Sequence, residues 1–233
     1  MIRVIRSAER YRAEHEWLTS WHSFSFAEYY DPDNRLFGPL RVFNEDIIEP
    51  GRGFGMHPHR DMEIMTCVID GVLEHQDSMG NKGTLEAGEV QCMSAGTGIF
   101  HSEYNHSQES PVHLLQIWFL PDAHGLAPSW EQKKFSPVDW RNRLLPVVSG
   151  TAVHAQALHM HQDATVYLSG LEAGASLCHS TDHSRMYCFV IDGQVSLNGE
   201  CDLRAGDTAR ISDVWELTVA SAEGAQCMLM DLA

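Results

Sequence analysis

Residues 51–71 read GRGFGMHPHRDMEIMTCVIDG, and this stretch decides the fold class. Its second half, EIMTCVIDG, is an apolar run that ends at Asp-Gly, which is typical of a buried strand entering a turn. Its first half places His57 and His59 two residues apart. Because side chains alternate along a strand, both imidazoles point to one face and can hold one ion. The stretch therefore predicts β structure that carries metal-binding groups.

Short segments of the same kind recur along the chain, each bounded by Gly, Pro, Asn or Asp. Examples are LRVFNEDIIE (40–49), HLLQIWFLP (113–121), MYCFVIDGQVSL (186–197) and TARISDVWELTVA (208–220). A helical period of apolar residues is weak and is best developed at residues 7–16 and 127–145. Many short strands and few short helices predict an all-β fold of barrels or jelly-roll sandwiches.

The sequence also contains an internal repeat. VIDG at residues 68–71 returns at 190–193, an offset of 122, and LEAGEVQCMS at 85–94 returns in outline as LRAGDTARIS at 203–212, an offset of 118. Asp-Gly and Ala-Gly turns recur by chance in β proteins, but here their order and their offsets nearly match. The repeat therefore favours two copies of one β-barrel unit.

The length of the chain agrees with this duplication. A chain of 233 residues allows one or two domains and buries enough surface to fold without a disulfide or a structural metal. The sequence predicts an N-terminal barrel with the metal site in residues 1–135 and a C-terminal barrel in residues 136–233.

Composition excludes several classes of partner. Acidic residues outnumber basic ones by 32 to 16, so the formal net charge is −16. This charge repels phosphate backbones and anionic lipids, which argues against direct binding of nucleic acid or membranes and leaves a protein partner open. The N-terminal sequence has no apolar signal segment, no stretch could span a bilayer, and the six cysteines show no CxxC spacing. A cytoplasmic protein with reduced thiols is predicted.

A second pair of candidate ligands follows in AGTGIFHSEYN, where His101 and Glu103 again stand two residues apart. With His57 and His59 they offer three nitrogens and one carboxylate to one centre. That set suits Fe(II), Mn(II), Ni(II), Co(II), Cu(II) or Zn(II) better than Mg²⁺ or Ca²⁺, which prefer oxygen ligands. Glu63 is an alternative carboxylate, because the alternation of a continuous strand puts it on the face of His57 and His59.

Two further sets of side chains have more than one interpretation. The aromatic residues of WLTSWHSFSFAEYY can cover an aromatic ligand, or they pack one domain against the other. They are Trp17, Trp21, Phe24, Phe26, Tyr29 and Tyr30. Single histidines elsewhere are expected as hydrogen-bonded surface or core residues. They are His15, His75, His106, His113, His124, His154, His159 and His161.

Several motifs, taken in order, resemble the pirin family and come closest to its bacterial quercetinase-like members. They are SWHSFSF (20–26), YYDPDN (29–34), LRVFNED (40–46), HPHRDMEIMT (57–66), HQDSMGNKG (75–83), MSAGTGIFHSEYN (93–105) and QIWFLP (116–121). The two histidine segments also resemble the two cupin motifs, with departures. Seven residues rather than six separate Glu63 from Gly71, and the second motif has about two extra residues after Gly88 and lacks its usual Pro.

The resemblance implies a bicupin, in which two β-barrels face each other and only the N-terminal barrel holds a metal. It implies His57, His59, His101 and Glu103 as ligands of one divalent ion, usually iron, and places Glu63 beside them. Glu103 is also the candidate catalytic base, because a carboxylate that loosens from the metal can accept the proton of a substrate hydroxyl.

The implied activity is that of a quercetin 2,3-dioxygenase, which opens a flavonol ring with O₂ and releases carbon monoxide. Its partners are then a small aromatic substrate and O₂. The alternative is a metal- or redox-sensing regulatory protein that acts through a protein partner, since eukaryotic relatives act as transcription co-regulators. A third class, a cupin isomerase or hydrolase, stays open because the ligand set defines the metal more tightly than the substrate.

The second copy retains one of the four candidate ligands. The offset of 122 puts His179 at the place of His57, and Thr181, Val219 and Ser221 stand at the other three places. The C-terminal barrel is therefore predicted to be metal-free, with the pair His179 and His183 as an alternative site.

Overall fold

The computed structural model describes residues 1–233 and contains twenty-one strands, two 3₁₀ helices and no α-helix. The strands are β1 Ile2–Ile5, β2 Tyr11–Glu14, β3 Leu18–His22, β4 Leu40–Ile48, β5 Gly53–His59, β6 Glu63–Asp70, β7 Val72–Asp77, β8 Lys82–Glu86, β9 Glu89–Ser94, β10 Ile99–Asn105, β11 Val112–Phe119, β12 Ser129–Lys134, β13 Leu145–Ser149, β14 Leu158–His159, β15 Ala164–Leu171, β16 Ser176–Ser180, β17 Arg185–Leu197, β18 Cys201–Arg204, β19 Thr208–Ser212, β20 Glu216–Ala220 and β21 Ala225–Leu232. The 3₁₀ helices are Ser7–Glu9 and Ala152–His154. The all-β prediction is confirmed.

Neither segment with a weak helical period forms an α-helix. Residues 7–16 contain one 3₁₀ turn and strand β2, and residues 127–145 contain strand β12. All six residues of β12 pair with β9, so sheet pairing overrides the local pattern. None of the helical segments has the length and apolar character that crossing a bilayer requires.

Contacts divide the chain into two compact units. One comprises residues 11–135 and 158–162, and the other comprises residues 1–10, 136–157 and 163–233. One boundary between the units lies at residues 135 and 136, and the first ten residues lie with the C-terminal unit because β1 pairs with β19. We call the two parts the N-terminal and the C-terminal unit.

The N-terminal unit contains two antiparallel sheets. The larger has the order β12-β9-β6-β11-β4-β3-β2, and the smaller has the order β5-β10-β7-β8. Apolar side chains of both sheets share one cluster, in which Ile48 and Leu114 of the larger sheet pack with Leu73 and Leu85 of the smaller. The two sheets therefore form the layers of one β-sandwich.

Polar side chains cross the inner face of the larger sheet in one row. The register pairs His22 with Asn44, Asn44 with Gln116, Gln116 with Thr66, and Thr66 with Gln91. All five side chains are buried. Because directly opposed residues of an antiparallel sheet share a face, strand register alone aligns these groups beneath the smaller sheet.

The two VIDG segments occupy equivalent corners. Gly71 has φ +84° and Gly193 has φ +75°, a region that favours glycine. A Cβ on Gly71 would lie 2.9 Å from Cα of Val112, and a Cβ on Gly193 would lie 2.9 Å from Cα of Ala225. At the first corner the chain passes from the larger sheet to the smaller, so β6 and β7 are not paired with each other. The predicted turn is a corner between sheets rather than a hairpin.

The C-terminal unit is built on the sheet β1-β19-β17-β21-β15-β13, with β16, β18 and β20 attached through β17 and β20. Strand β17 pairs with β19 and β21 before Gly193 and mainly with β18 and β20 after it. Its core includes Leu217 and Val219 of β20, which are almost completely buried.

Candidate metal centre and adjoining cavity

Three of the predicted ligands meet where β5 pairs with β10. The antiparallel register places His57 directly opposite His101. The ring centroids lie 4.5 Å apart for His57 and His101, and 4.8 Å apart both for His57 and His59 and for His59 and His101. One nitrogen from each ring lies within 4.8 Å of the others. This spacing allows the three imidazoles to converge on one ion.

Glu103 lies two residues after His101 on β10, whose register with β7 is unbroken, so both side chains are on one face of the strand. The pairing of β10 with β5 shifts between His101 and Glu103, and Glu103 lies opposite His75 of β7. Ligand atoms of His75, His101 and Glu103 lie within 4.8 Å of one another and form a second group that shares His101 with the first. The structure thus brings all four predicted residues to one region, with Glu103 grouped most closely with His101 and His75.

His75 is the residue at this centre that the sequence interpretation missed. Its side chain is fully buried, its ring stacks on Trp130 at 5.3 Å, and its Nε2 lies 3.5 Å from Oδ2 of Asp77. Hydrogen bonds from Asn81 and His75 outweigh the effect of burial and hold the pKa of Asp77 below its usual value. The available signal was the spacing of His75 and Asp77, a third pair two residues apart on a strand.

The ring nitrogens of His101 fit a metal ion. The residue is 1% exposed, and neither Nδ1 nor Nε2 has a hydrogen-bond partner. Most buried polar atoms of proteins are hydrogen-bonded, so a buried imidazole with two unbonded nitrogens is unusual. A divalent cation at the histidine cluster would satisfy one of them, and nitrogen donors of this kind suit a transition metal.

The electrostatics favour neutral imidazoles at this cluster. Burial and the charges of neighbouring imidazoles lower the pKa of His59 to about 3, and burial with the same kind of repulsion lowers the pKa of His101 to about 3. Only neutral imidazole has a lone pair for a metal. Both rings are therefore in the ligating form at neutral pH.

Glu103 is held by the polar row of the larger sheet. Its Oε2 accepts a hydrogen bond from Nε2 of Gln116 at 2.8 Å, and its Oε1 accepts bonds from Oγ1 of Thr66 at 3.2 Å and Nε2 of Gln91 at 3.3 Å. Burial raises the pKa of Glu103, and these bonds offset part of the rise. The carboxyl group is thus held in a defined orientation and poised to accept a proton.

Glu63 lies on a different face from Thr66, which contacts Glu103. Its Oε2 accepts hydrogen bonds from Oγ of Ser94 at 2.7 Å and from the backbone N–H of His161 at 3.0 Å. The alternation that linked it to the HPH segment is interrupted between β5 and β6, where Asp61 has φ +47°. Strand parity does not carry across such a bend, so the expected place of Glu63 beside the metal ligands is not the one seen.

A cavity of about 310 Å³ adjoins the cluster, and His57, His59 and Glu103 line it. Its apolar walls include Trp17, Leu18, Phe26, Phe54 and Trp118. Its polar lining includes Ser20, His22, Asn44, Asp46 and Gln116. Mostly apolar walls with a few polar groups are typical of a small-molecule site.

The aromatic segment contributes two side chains to the wall of the cavity. Trp17 and Phe26 line the cavity, and Phe26 also meets Trp118 edge to face at 5.4 Å between ring centroids. Phe24 is fully buried, and Tyr30 is 74% exposed. Two of the six side chains are therefore placed to contact a ligand.

In the C-terminal unit, His179 and His183 meet at one carboxylate. Nε2 of His179 lies 2.9 Å from Oδ2 of Asp231, and Nδ1 of His183 lies 3.0 Å from its Oδ1, which also accepts a bond from Oγ1 of Thr181. Strand pairing places Leu217 opposite His179, where the offset in sequence had placed Val219. Neither apolar residue can ligate a metal.

Comparison with known sequences matches both parts of the chain. Residues 4–119 match the profile of the Pirin family, and residues 147–232 match a profile described as the quercetinase C-terminal cupin domain. The quercetin 2,3-dioxygenase of Escherichia coli K12 is 42% identical over 233 residues, which cover 100% of this chain and 99% of the relative. A pirin-like protein of Caulobacter vibrioides is 44% identical over 222 residues and 95% of each chain.

Comparison with solved structures agrees with the sequence matches. The crystal structure of the bacterial pirin YhhW from Escherichia coli in complex with nickel(II) superposes with a TM-score of 0.93 at 42% identity. The match covers 100% of this chain and 99% of that one.

Proposed function

The chain belongs to the pirin family, and on that premise we propose that it is a metal-dependent oxidoreductase that opens a flavonol-type ring with O₂ and releases carbon monoxide. The observation that carries the proposal is the cluster of His57, His59 and His101 beside Glu103, adjoining a mostly apolar cavity of about 310 Å³. Cavities of roughly 300–1,000 Å³ accept ligands of this size class.

The proposed metal is one divalent ion per chain, held by His57, His59, His101 and Glu103, with iron(II) as the native ion. The nickel(II) complex of the Escherichia coli pirin shows that a relative of this chain binds a divalent transition metal. Imidazole and carboxylate ligands accommodate iron, nickel and several neighbouring ions. The C-terminal unit is proposed to hold none, because its two clustered histidines share the carboxylate of Asp231.

When bound, the ion would supply Lewis acidity to an oxygen pair of the substrate and a site for O₂ chemistry. The protein would supply the proton transfer and the orientation. Glu103 accepts the proton of the substrate hydroxyl, while Gln116, Thr66 and Gln91 keep its carboxyl group directed at the cluster. Trp118 and Phe26 form part of the apolar wall against which the ligand lies, and they help to exclude water from the cavity.

The direct test is turnover. Protein loaded with iron(II) is incubated aerobically with quercetin, and the loss of flavonol absorption and the carbon monoxide released are measured together. We expect equimolar loss and release, and neither with a His57→Ala, His101→Ala variant. Full metal content without turnover would contradict the proposal and would favour the regulatory role.

We also propose that the protein works in a reducing compartment such as the cytoplasm. All six cysteines are free thiols, and four of them are buried. Burial raises the pKa of Cys67 to about 12, which keeps that thiol protonated and unreactive.

A further inference from the structure

The part of the cavity lining formed by Ser20, Asn44 and Asp46 has no role in the metal cluster. Asn44 and Asp46 stand two residues apart on β4, and Ser20 of β3 lies directly opposite Asp46. Each of the three is 2% exposed, and each lines the cavity. Three polar side chains are thus buried at one place and directed at the space that the substrate would occupy.

Asn44 has a polar atom without a partner. Its Oδ1 is buried and accepts no hydrogen bond, and Nε1 of Trp118, which also lines the cavity, donates none. An unsatisfied buried acceptor is unfavourable by roughly 1–3 kcal/mol, so such groups usually have partners. A ligand with hydroxyl groups could donate a hydrogen bond to Oδ1 of Asn44 and accept one from Nε1 of Trp118, because a hydroxyl donates one hydrogen bond and accepts others.

Asp46 adds a second acceptor beside Asn44. Ser20 donates its hydroxyl hydrogen to Oδ1 of Asp46 in a short bond. A carboxylate has about four acceptor positions, so it can accept a ligand hydroxyl beside bonds from the protein. Two neighbouring acceptors favour a ligand group that donates a hydrogen bond, such as a hydroxyl. The negative charge of the Asp46 carboxylate disfavours an anionic ligand group at the same place.

The register of β4 and β11 places Asn44 and Asp46 next to Gln116, which holds Glu103. Asn44 lies opposite Gln116, which donates to Glu103, and Asp46 lies diagonally from Gln116. Diagonal neighbours in a sheet are about 7–8 Å apart. A flat molecule whose metal-binding edge faces the histidines would therefore bring its remote ring to Asp46 and Asn44.

We propose that Ser20, Asn44 and Asp46 form a hydroxyl-binding subsite, which selects aromatic substrates that carry hydroxyl groups on a ring remote from the metal-binding edge. This inference rests on the proposed function and adds the residues that would distinguish hydroxylated from unhydroxylated flavonol rings.

The test compares two ligands and two variants. Quercetin and 3-hydroxyflavone share the metal-binding edge and the ring skeleton, and only quercetin carries remote hydroxyls. Their dissociation constants are measured anaerobically by calorimetry on metal-loaded wild-type protein, on Asp46→Asn and on Asp70→Asn, a matched change at an exposed position.

We expect the wild type and Asp70→Asn to prefer quercetin by about tenfold or more. Asp46→Asn should weaken quercetin binding by about tenfold and change 3-hydroxyflavone binding by less than about twofold, because a charged acceptor becomes a neutral one and only quercetin carries a hydroxyl for it. Asn44→Ala should act in the same direction with a smaller effect.

Equal binding of the two ligands by the wild type, or equal weakening of both by Asp46→Asn, would overturn the subsite. The parallel turnover assay separates this failure from failure of the proposed function. Selective binding without turnover would refute the function and retain the subsite, whereas turnover with equal binding would refute the subsite alone. Binding of neither ligand would refute both.

Discussion

Both units contain clustered histidines, and the partners of the ring nitrogens differ. In the N-terminal unit, neither nitrogen of the buried His101 has a hydrogen-bond partner, and the ring lies beside two more imidazoles. In the C-terminal unit, His179 and His183 both contact Asp231. Clustered histidines on strands therefore do not predict a metal centre by themselves. The hydrogen-bond donors and acceptors that neighbouring strands place beside the rings decide whether the ring nitrogens are available to a metal.

The comparison extends to strands β10 and β20, which hold corresponding places in the two units. Strand β10 carries His101 and Glu103, while the strand paired with His179 carries Leu217 and Val219 in a packed core. The N-terminal unit keeps a cavity and buried polar groups where the C-terminal unit has apolar packing. Burying polar groups is unfavourable unless they find partners, so such an arrangement is typical of a functional site.

The largest expected effect tests the metal assignment. His57→Ala with His101→Ala should reduce bound metal from about one ion per chain to near zero, because the remaining donors cannot complete a four-ligand site. His179→Ala with His183→Ala should leave the metal content unchanged. Metal analysis of protein purified without added metal or chelator gives the answer. Metal that depends on the second pair would reverse the comparison between the units.

The next effect concerns the two buried glutamates of the N-terminal unit. Glu103→Gln keeps an oxygen at the centre and removes the proton-accepting charge, so some metal should remain while flavonol turnover falls by about 10² or more. Glu63→Gln is the matched control, because Glu63 contacts Ser94 and the backbone of His161 instead. Metal content and single-turnover rates are measured for both. Loss of metal in the Glu63 variant alone would make Glu63 the ligand.

The last effect concerns the pH dependence of stability without metal. The pKa of His59 and of His101 is lowered to about 3 in the folded protein, against about 6.5 for an unperturbed imidazole. Between these values the unfolded chain binds more protons, so stability should fall as the pH decreases from about 6.5 towards 3. The slope is up to about 1.4 kcal/mol per pH unit for each imidazole. Urea unfolding of chelator-treated protein at several pH values measures it.

Asp231 of the C-terminal unit is the control for this slope. Burial opposes its ionisation, but bonds from His179 and Thr181 hold the pKa of its carboxyl below the usual value. The stabilisation that ionised Asp231 provides is present above about pH 3.9. It is lost only as the pH falls through the lower pKa that this carboxyl has in the folded protein. Asp231→Asn should therefore destabilise the protein without removing the slope that the metal cluster contributes. A flat wild-type profile from about pH 6.5 to 4 would contradict the pKa values of the metal cluster.

Much of the centre could be predicted from residue spacing and from the resemblance to the pirin family, which the sequence comparisons confirm. Pairs two residues apart share a strand face wherever the strand is regular, so His57 with His59 and His101 with Glu103 were recognisable. The same rule failed for Glu63, because the chain bends between β5 and β6. It also gave no reason to place His75 beside His101, since that contact depends on the pairing of β10 with β7.

The all-β class, the internal repeat, the family and the two ligand-bearing segments follow from the sequence, because each depends on local pattern. The contacts that hold Glu103 to Gln116, Thr66 and Gln91, and the place of Asn44 and Asp46 in the same cavity, follow from the pairing and packing of the sheets. These contacts join strands far apart in the chain, and their register follows from how whole sheets pair and pack. Alternation along a strand defines which residues share a face. The pairing and packing of the strand with its neighbours define which side chains that face contacts.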